Sequence, residues 1–258
     1  MLMPALNLRL LSPALLIDIG RVSELRGIAV ENGVLRIGAL ARHADLLTSS
    51  DIAAHAPLLA EAVAQVAHPA IRNRGTIGGN LAHADPASEL PACMLALDAT
   101  IVVRGASGER RIPAIQFFTG IYETALAPGE LLIAVEIPAA LPGATHFFQE
   151  HARRKGDYAM AGLAASAAVE HDRFSALRLG FFAVGDRPWL ASASRLLVGK
   201  PVTAALLADA QAALDAELDP QGDQQASAEM RRHLARQLLR RCVATLLRRP
   251  DLEARISA

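Results

Sequence analysis

Apolar and polar positions change period several times along the chain, and each change marks an element. Val34, Leu35, Ile37 and Ala39 follow the turn-like Glu31-Asn32-Gly33 and predict a strand over 34–39, with a short helix over 42–47. Leu58, Leu59, Ala62, Val63 and Val66 recur at helical spacing, so 57–67 reads as a helix with one buried face, and Ser49, Ser50 and Asp51 stand ahead of it as capping residues. Ser88 is placed to cap a helix running to 97. The segments 100–104 and 109–112, joined by Gly105-Ala106-Ser107-Gly108, predict a hairpin, and 131–137 predicts a strand closed by Pro138.

Nothing periodic crosses Ala139-Ala140-Leu141-Pro142-Gly143, whose proline and glycine interrupt regular structure. Two domains are therefore expected, 1–140 and 145–258. The second opens with extended segments at 146–153, 159–170 and 174–184, the last two joined by His171-Asp172-Arg173. Helices follow at about 191–197, 201–214 and 227–248. In the last of these, Met230, Leu234, Leu238, Cys242 and Leu246 form an apolar stripe. Arg231, Arg232, Arg236, Arg240 and Arg241, with Arg248 and Arg249, read as its solvated face or as a surface for an acidic partner.

Composition narrows the function. Of 258 residues 52% are hydrophobic, enough for a sizeable core, and 26 basic residues cancel 26 acidic ones. That balance gives no global attraction to nucleic acid or to an anionic membrane. Cys93 and Cys242 are far apart, so neither a disulfide framework nor an iron–sulfur cluster built from this chain alone is expected. Both read as small buried hydrophobes. No apolar run approaches the roughly 20 residues of a membrane span, and the start lacks a signal-peptide layout. The cytoplasm is the expected compartment.

One segment carries candidate chemistry: Ile71-Arg72-Asn73-Arg74-Gly75-Thr76-Ile77-Gly78-Gly79-Asn80-Leu81-Ala82. Gly75, Gly78 and Gly79 remove three β-carbons where the backbone can take positive φ or let a ligand approach closely. With the Thr76 hydroxyl, the Asn80 amide and the guanidinium groups of Arg72 and Arg74, such a loop suits a pyrophosphate. It suits equally a plain turn between a helix and a strand. It matches neither the Gly-x-Gly-x-x-Gly fingerprint nor a Walker loop. His83 and Asp85, with Glu89 nearby, invite a metal reading, but two spaced side chains in a loop serve as hydrogen-bonding residues, and no metal is assigned.

The run 72–82, continued by His83-Ala84-Asp85-Pro86-Ala87-Ser88-Glu89-Leu90-Pro91 and Leu95-Ala96-Leu97-Asp98-Ala99, resembles the flavin subunits of the xanthine dehydrogenase and carbon monoxide dehydrogenase family. Phe118-Thr119-Gly120-Ile121-Tyr122-Glu123-Thr124-Ala125-Leu126, Glu130-Leu131-Leu132 and Gly156-Asp157-Tyr158-Ala159 match it in order, so the resemblance covers nearly the whole chain. It implies an α+β fold: a FAD-binding α/β part, then a C-terminal α+β domain with an antiparallel sheet and helices. It also implies that Thr76, Ile77, Gly78, Gly79 and Asn80 hold the FAD diphosphate and neighbouring ribityl groups. Glu89 would contact the flavin nucleotide, Leu126 and Tyr158 would lie near the isoalloxazine or adenine portions, and Gln149 would approach the ring.

The family's chemistry, by the same resemblance, is divided among chains. A large subunit hydroxylates the substrate at molybdopterin, a small subunit with two [2Fe–2S] clusters passes electrons on, and this chain supplies FAD as the last station, in a heterotrimer that is doubled to a dimer. The cofactor carries the redox chemistry, so no catalytic residue is named. Typical members begin about thirty residues earlier with a strand–helix–strand unit and a second Gly-rich loop that grips the other side of the pyrophosphate. That unit is missing from the sequence as given, so the first subdomain is expected to be truncated. A start upstream of Met1 is the favoured explanation; the alternative is a shortened structural subunit that no longer binds FAD.

Overall fold

The computed structural model describes residues 2–141 and 143–253. Helix α1 (Leu2–Asn7) buries no residue. The hairpin of β1 (Ile28–Glu31) and β2 (Val34–Gly38) turns through Asn32 and Gly33, both with left-handed φ, the geometry a two-residue hairpin loop demands. Helices α2 (His43–Thr48), α3 (Ser50–His55), α4 (Pro57–Gln65), α5 (Pro69–Arg72), α6 (Ile77–His83) and α7 (Glu89–Ala96) follow. Then come β3 (Thr100–Gly105), β4 (Gly108–Pro113), α8 (Ala114–Phe117), the hairpin β5 (Phe118–Gly120) and β6 (Glu123–Thr124), and β7 (Leu131–Ile137). The strands pair antiparallel in the order β1-β2-β7-β3-β4, which places the last strand at the centre. Alternation sends Ile101 and Val103 into the core with the helices, while Val102 joins Leu25, Ile133 and Ala134 on the other face.

A second antiparallel sheet, ordered β11-β10-β9-β8, is built from β8 (Ala144–Ala152), β9 (Ala159–Glu170), β10 (Arg173–Phe182) and β11 (Trp189–Leu190). Helices α9 (Ser194–Leu197), α10 (Ala204–Glu217) and α11 (Ala228–Leu246) complete it. Thr203 caps α10 and Ser227 caps α11, each accepting a backbone N–H at 3.1 Å. One face of the sheet, with Phe147, Leu163, Leu179 and Phe181, packs with α10 and α11. The other, with Phe148, Ala164 and Phe182, joins the core of the first unit. Helix α7 lies on that second face. At Gly180 a β-carbon would stand 2.3 Å from the Ala92 carbonyl oxygen, so only glycine lets helix and strand meet. Leu90 to Ala96 are all buried, which explains a helix without a polar face.

Several expected elements are shifted. The 57–67 helix is preceded by a separate α3, whose cap is Ser49. The helix expected over 191–197 is only Ser194–Leu197, and that expected over 201–214 is Ala204–Glu217. Strands β1, β5 and β6 are too short to show a period. In α11 the stripe begins late: Met230 is 47% exposed, whereas Leu238, Cys242 and Leu246 are buried. Arg231 is no part of a solvated face. It is 6% exposed, donates from Nη1 to the Met160 and Ala183 carbonyls at 2.8 Å each, and pairs through Nη2 with Asp223 at 2.8 Å. Among the described residues no helix is long and apolar enough to cross a membrane.

Candidate functional site

The glycine-rich segment folds as helix, turn and helix, not as a loop between a helix and a strand. Residues 73–76 link α5 to α6, and the Thr76 hydroxyl caps α6 by accepting the Gly79 N–H at 3.2 Å. None of Gly75, Gly78 and Gly79 takes a left-handed φ. Close approach is the reason for two of them. A β-carbon on Gly75 would stand 3.1 Å from the buried His43 ring, and one on Gly78 would stand 2.6 Å from the Ala39 β-carbon and 2.8 Å from its carbonyl oxygen. Gly79 differs: it is exposed, and its β-carbon would meet only the Thr76 hydroxyl, at 3.0 Å.

The backbone donors are unequal in the same way. Ile77 N–H donates to the Ala41 carbonyl at 3.0 Å and Gly78 N–H to the Ala39 carbonyl at 2.9 Å, so these amides pin α6 to the chain between β2 and α2. Arg72 turns back to the Val66 and Ala67 carbonyls at 2.8 and 3.1 Å, and Arg74 is exposed. The open groups of the motif are the Thr76 hydroxyl, the face of Gly79 and the Asn80 side chain.

Asn80 carries the motif to α7. Its Nδ2 donates to Ser88 Oγ at 2.8 Å, and Ser88 Oγ stands 3.1 Å from Asn80 Oδ1. Ser88 sits at the α7 cap position, but its hydroxyl serves Asn80 and makes no cap bond. Between them α6 ends on Ala84 in the left-handed region, φ 51° and ψ 41°, and Asp85 Oδ1 accepts the Ala87 N–H at 2.9 Å. Asp85 is buried; burial first, then the Asp85 charge, raises the Tyr158 pKa. The His83 ring stacks on Tyr122 at 4.9 Å between centroids.

Carboxyl groups meet where the two units touch. Burial pushes Glu89 up to about 8, aided by the negative charges of Glu150 and Asp85, although its own N–H and Ser88 pull the other way. Glu89 keeps some exposed surface, but protein crowds its carboxyl group. Burial alone raises Glu150 to about 7, and its Oε2 is buried with no hydrogen-bond partner. Glu89, raised above neutrality, and Glu150, raised to it, can present O–H donors to whatever fills the space beside them. Among the described residues no group of three or more His, Cys, Asp or Glu is placed to hold a metal.

Of the residues singled out in the sequence, Thr76, Ile77, Gly78, Gly79, Asn80, Glu89 and Tyr158 come together around α6, Ser88 and Asp85. Leu126 is partly buried against the first core. Gln149 lies on the β8 face of Phe147, toward α10 and α11, whereas Glu150 shares the Phe148 face that meets the first unit. Sequence reasoning passed over Glu150 and Tyr122. The alternation of Phe147 and Phe148 along β8 was the signal for the first; the second stands on a hairpin too short to announce itself.

Known proteins resemble this chain along most of its length. The family described as FAD binding domain in molybdopterin dehydrogenase matches residues 1–140, and CO dehydrogenase flavoprotein C-terminal domain matches residues 146–246. The chain is 46% identical over 169 residues to the 6-hydroxypseudooxynicotine dehydrogenase complex subunit alpha of Paenarthrobacter nicotinovorans, spanning 66% of this chain and 57% of that one. It is 38% identical over 218 residues to the carbon monoxide dehydrogenase medium chain of Hydrogenophaga pseudoflava, spanning 84% and 75%. The solved carbon monoxide dehydrogenase from H. pseudoflava lacking the Mo-pyranopterin moiety superposes with a TM-score of 0.93 at 36% identity, over 96% of this chain and 87% of that one. Quinoline 2-oxidoreductase from Pseudomonas putida 86 gives 0.89 at 38% identity, over 96% and 86%.

Proposed function

This chain belongs to the FAD-binding medium subunits of the molybdopterin dehydrogenases, and we propose that it is the flavin station of a multi-subunit molybdenum hydroxylase. It receives electrons from [2Fe–2S] clusters on a small subunit, after substrate oxidation at molybdopterin on a large subunit, and passes them to an external acceptor. A doubled heterotrimer in the cytoplasm is the assembly this reading carries, and the chain divides into a FAD-binding part, 1–140, and a C-terminal part, 145–258.

The observation that carries the reading is the convergence of the Thr76–Asn80 motif, through Ser88, with Glu89, Asp85 and Tyr158. Two features suit a bound flavin nucleotide. Gly79 offers a backbone face that a β-carbon would cover, and Glu150 holds a buried carboxyl oxygen without a partner. FAD supplies the two-electron chemistry when bound. The chain's own residues bind and orient it: the Thr76 hydroxyl and Asn80 amide hold the polar linker, Gly79 permits close approach, Glu89 and Glu150 offer hydrogen bonds, and Tyr158 and Leu126 supply apolar surface.

Purification of the chain with its partner subunits tests the proposal. A yellow complex absorbing at about 450 nm with one FAD per copy is expected. A colourless complex that retains iron–sulfur clusters and molybdenum would instead make this chain a structural subunit.

A further inference from the structure

The backbone amides at 77–80 are already spent. Ile77 N–H goes to the Ala41 carbonyl and Gly78 N–H to the Ala39 carbonyl, Gly79 N–H goes to the Thr76 hydroxyl, and Asn80 N–H goes to the Thr76 carbonyl at 3.0 Å. A diphosphate held there must therefore find its counter-charge on a side chain. Of the two arginines in the motif segment, Arg72 is turned back to the Val66 and Ala67 carbonyls, and Arg74 stands on the turn after α5, outside any strand.

The chain between β2 and α2 supplies another. His43 N–H donates to the Gly75 carbonyl and Ile77 N–H to the Ala41 carbonyl, each at 3.0 Å, which leaves Arg42 and Thr76 directly opposite each other in an antiparallel bridge. Both residues are extended, Arg42 at φ −78° and ψ 154°, Thr76 at φ −118° and ψ 154°. Hydrogen bonds that flank a pair in this way define its closely spaced kind, about 4.5 Å between α-carbons, with both side chains on one face.

The next residue points the other way. His43 is 3% exposed, and its ring lies beneath Gly75, where a β-carbon would stand 3.1 Å from it. Arg42 is exposed. Its N–H is fixed on Asp45 Oδ2 at 2.9 Å, which holds the backbone in place, while its guanidinium makes no ion pair among the described residues. A free cation thus stands on the same face as the motif's hydroxyl.

We infer that Arg42 supplies the positive charge for a diphosphate lying over Thr76 and Gly79. The inference deepens the proposed function and rests on it for the identity of the ligand, FAD, but not for the binding of the anion. A guanidinium fork matches two oxygens of a phosphate, and Arg42 reaches the motif from outside the segment that carries the glycines.

The full chain, stripped of flavin, is titrated with FAD, with ADP and with riboflavin, which has no phosphate. Flavin fluorescence and calorimetry read the affinities. Arg42→Met should weaken FAD and ADP about tenfold and leave riboflavin unchanged, and Arg42→Lys should recover part of the loss. The gap between parent and Arg42→Met should narrow as salt rises from about 0.05 to about 0.5 M. The melting temperature should stay near that of the parent, because the side chain is exposed. Arg195→Met, which removes an exposed charge on α9, should leave all three affinities as they are. An Arg42→Met chain that binds FAD and ADP as the parent does would overturn the inference. So would an equal loss for riboflavin, or an equal loss from Arg195→Met. A parent that binds ADP through Arg42 but does not bind FAD sinks only the proposed function, and a parent that binds neither sinks both.

Discussion

Asn80 and Ser88 share two hydrogen-bonding contacts, 2.8 Å from Nδ2 to Oγ and 3.1 Å between Oγ and Oδ1, and so tie the glycine motif on α6 to the first residue position ahead of α7. The link explains why a serine at a helix cap makes no cap bond. Ser88→Ala leaves the Asn80 amide, partly buried, without its partner. We expect a loss of about 1 kcal/mol in stability, and a several-fold weaker hold on FAD, since Asn80 is freed to rotate. Thermal melts and equilibrium dialysis with FAD check the two effects; unchanged FAD affinity would remove Asn80 from the binding site.

Gly78 and Gly79 should separate folding from binding. Gly78→Ala forces a β-carbon to within 2.6 Å of the Ala39 β-carbon and 2.8 Å of its carbonyl oxygen, and should destabilise by about 1–3 kcal/mol. Gly79→Ala disturbs only the Thr76 hydroxyl and should cost less than about 1 kcal/mol, partly offset by alanine's helix preference. Its methyl group nevertheless covers the open face. The expected result is a Gly79→Ala chain with a near-normal melting temperature and sharply reduced FAD content.

The raised carboxyls give an unusual pH dependence. Above the ordinary value of 4.5 the unfolded chain releases these protons, while the folded chain keeps them to about 7 at Glu150 and about 8 at Glu89. Folding therefore takes up protons in that window, and the stability these groups contribute, complete below 4.5, is lost as pH rises through 7 and 8. His43, His83 and His151, whose pKa values burial lowers from 6.5, act in the opposite sense below that value. Glu150→Gln cannot ionise. Its melting temperature, relative to the parent, should climb from about pH 4.5 to about pH 7 and level off above that; a constant difference across that range would mean that Glu150 ionises in the folded chain as it does in the unfolded one.

Arg231 joins α11 to the ends of β9 and β10 through two carbonyl bonds and the Asp223 pair. Arg231→Ala abandons two buried carbonyls and should cost about 3 kcal/mol, or roughly 6–12 °C in a domain of this size. Asp223→Asn, whose side chain is 53% exposed, should cost under about 1 kcal/mol. Equal losses from the two substitutions would place the stability in the ion pair and not in the carbonyl bonds.

The sequence by itself determined the elements whose signals are local. The period of Leu58, Leu59, Ala62 and Val63 is enough for α4, and the alternation flanking Gly105 and Gly108 is enough for β3 and β4. The turn at His171 and Asp172 placed β9 beside β10, and the ordered motifs from Arg72 to Ala159 carried the family. Tertiary structure decided what depends on neighbours distant along the chain. Gly78 is a glycine because Ala39 lies against it, not because the backbone turns there. Arg231 is buried because the Met160 and Ala183 carbonyls need a donor, which no charge pattern along a helix reveals. The raised acids Glu89 and Glu150 exist only where the second sheet closes on α7, since burial and mutual field belong to the assembled surfaces and not to either segment alone.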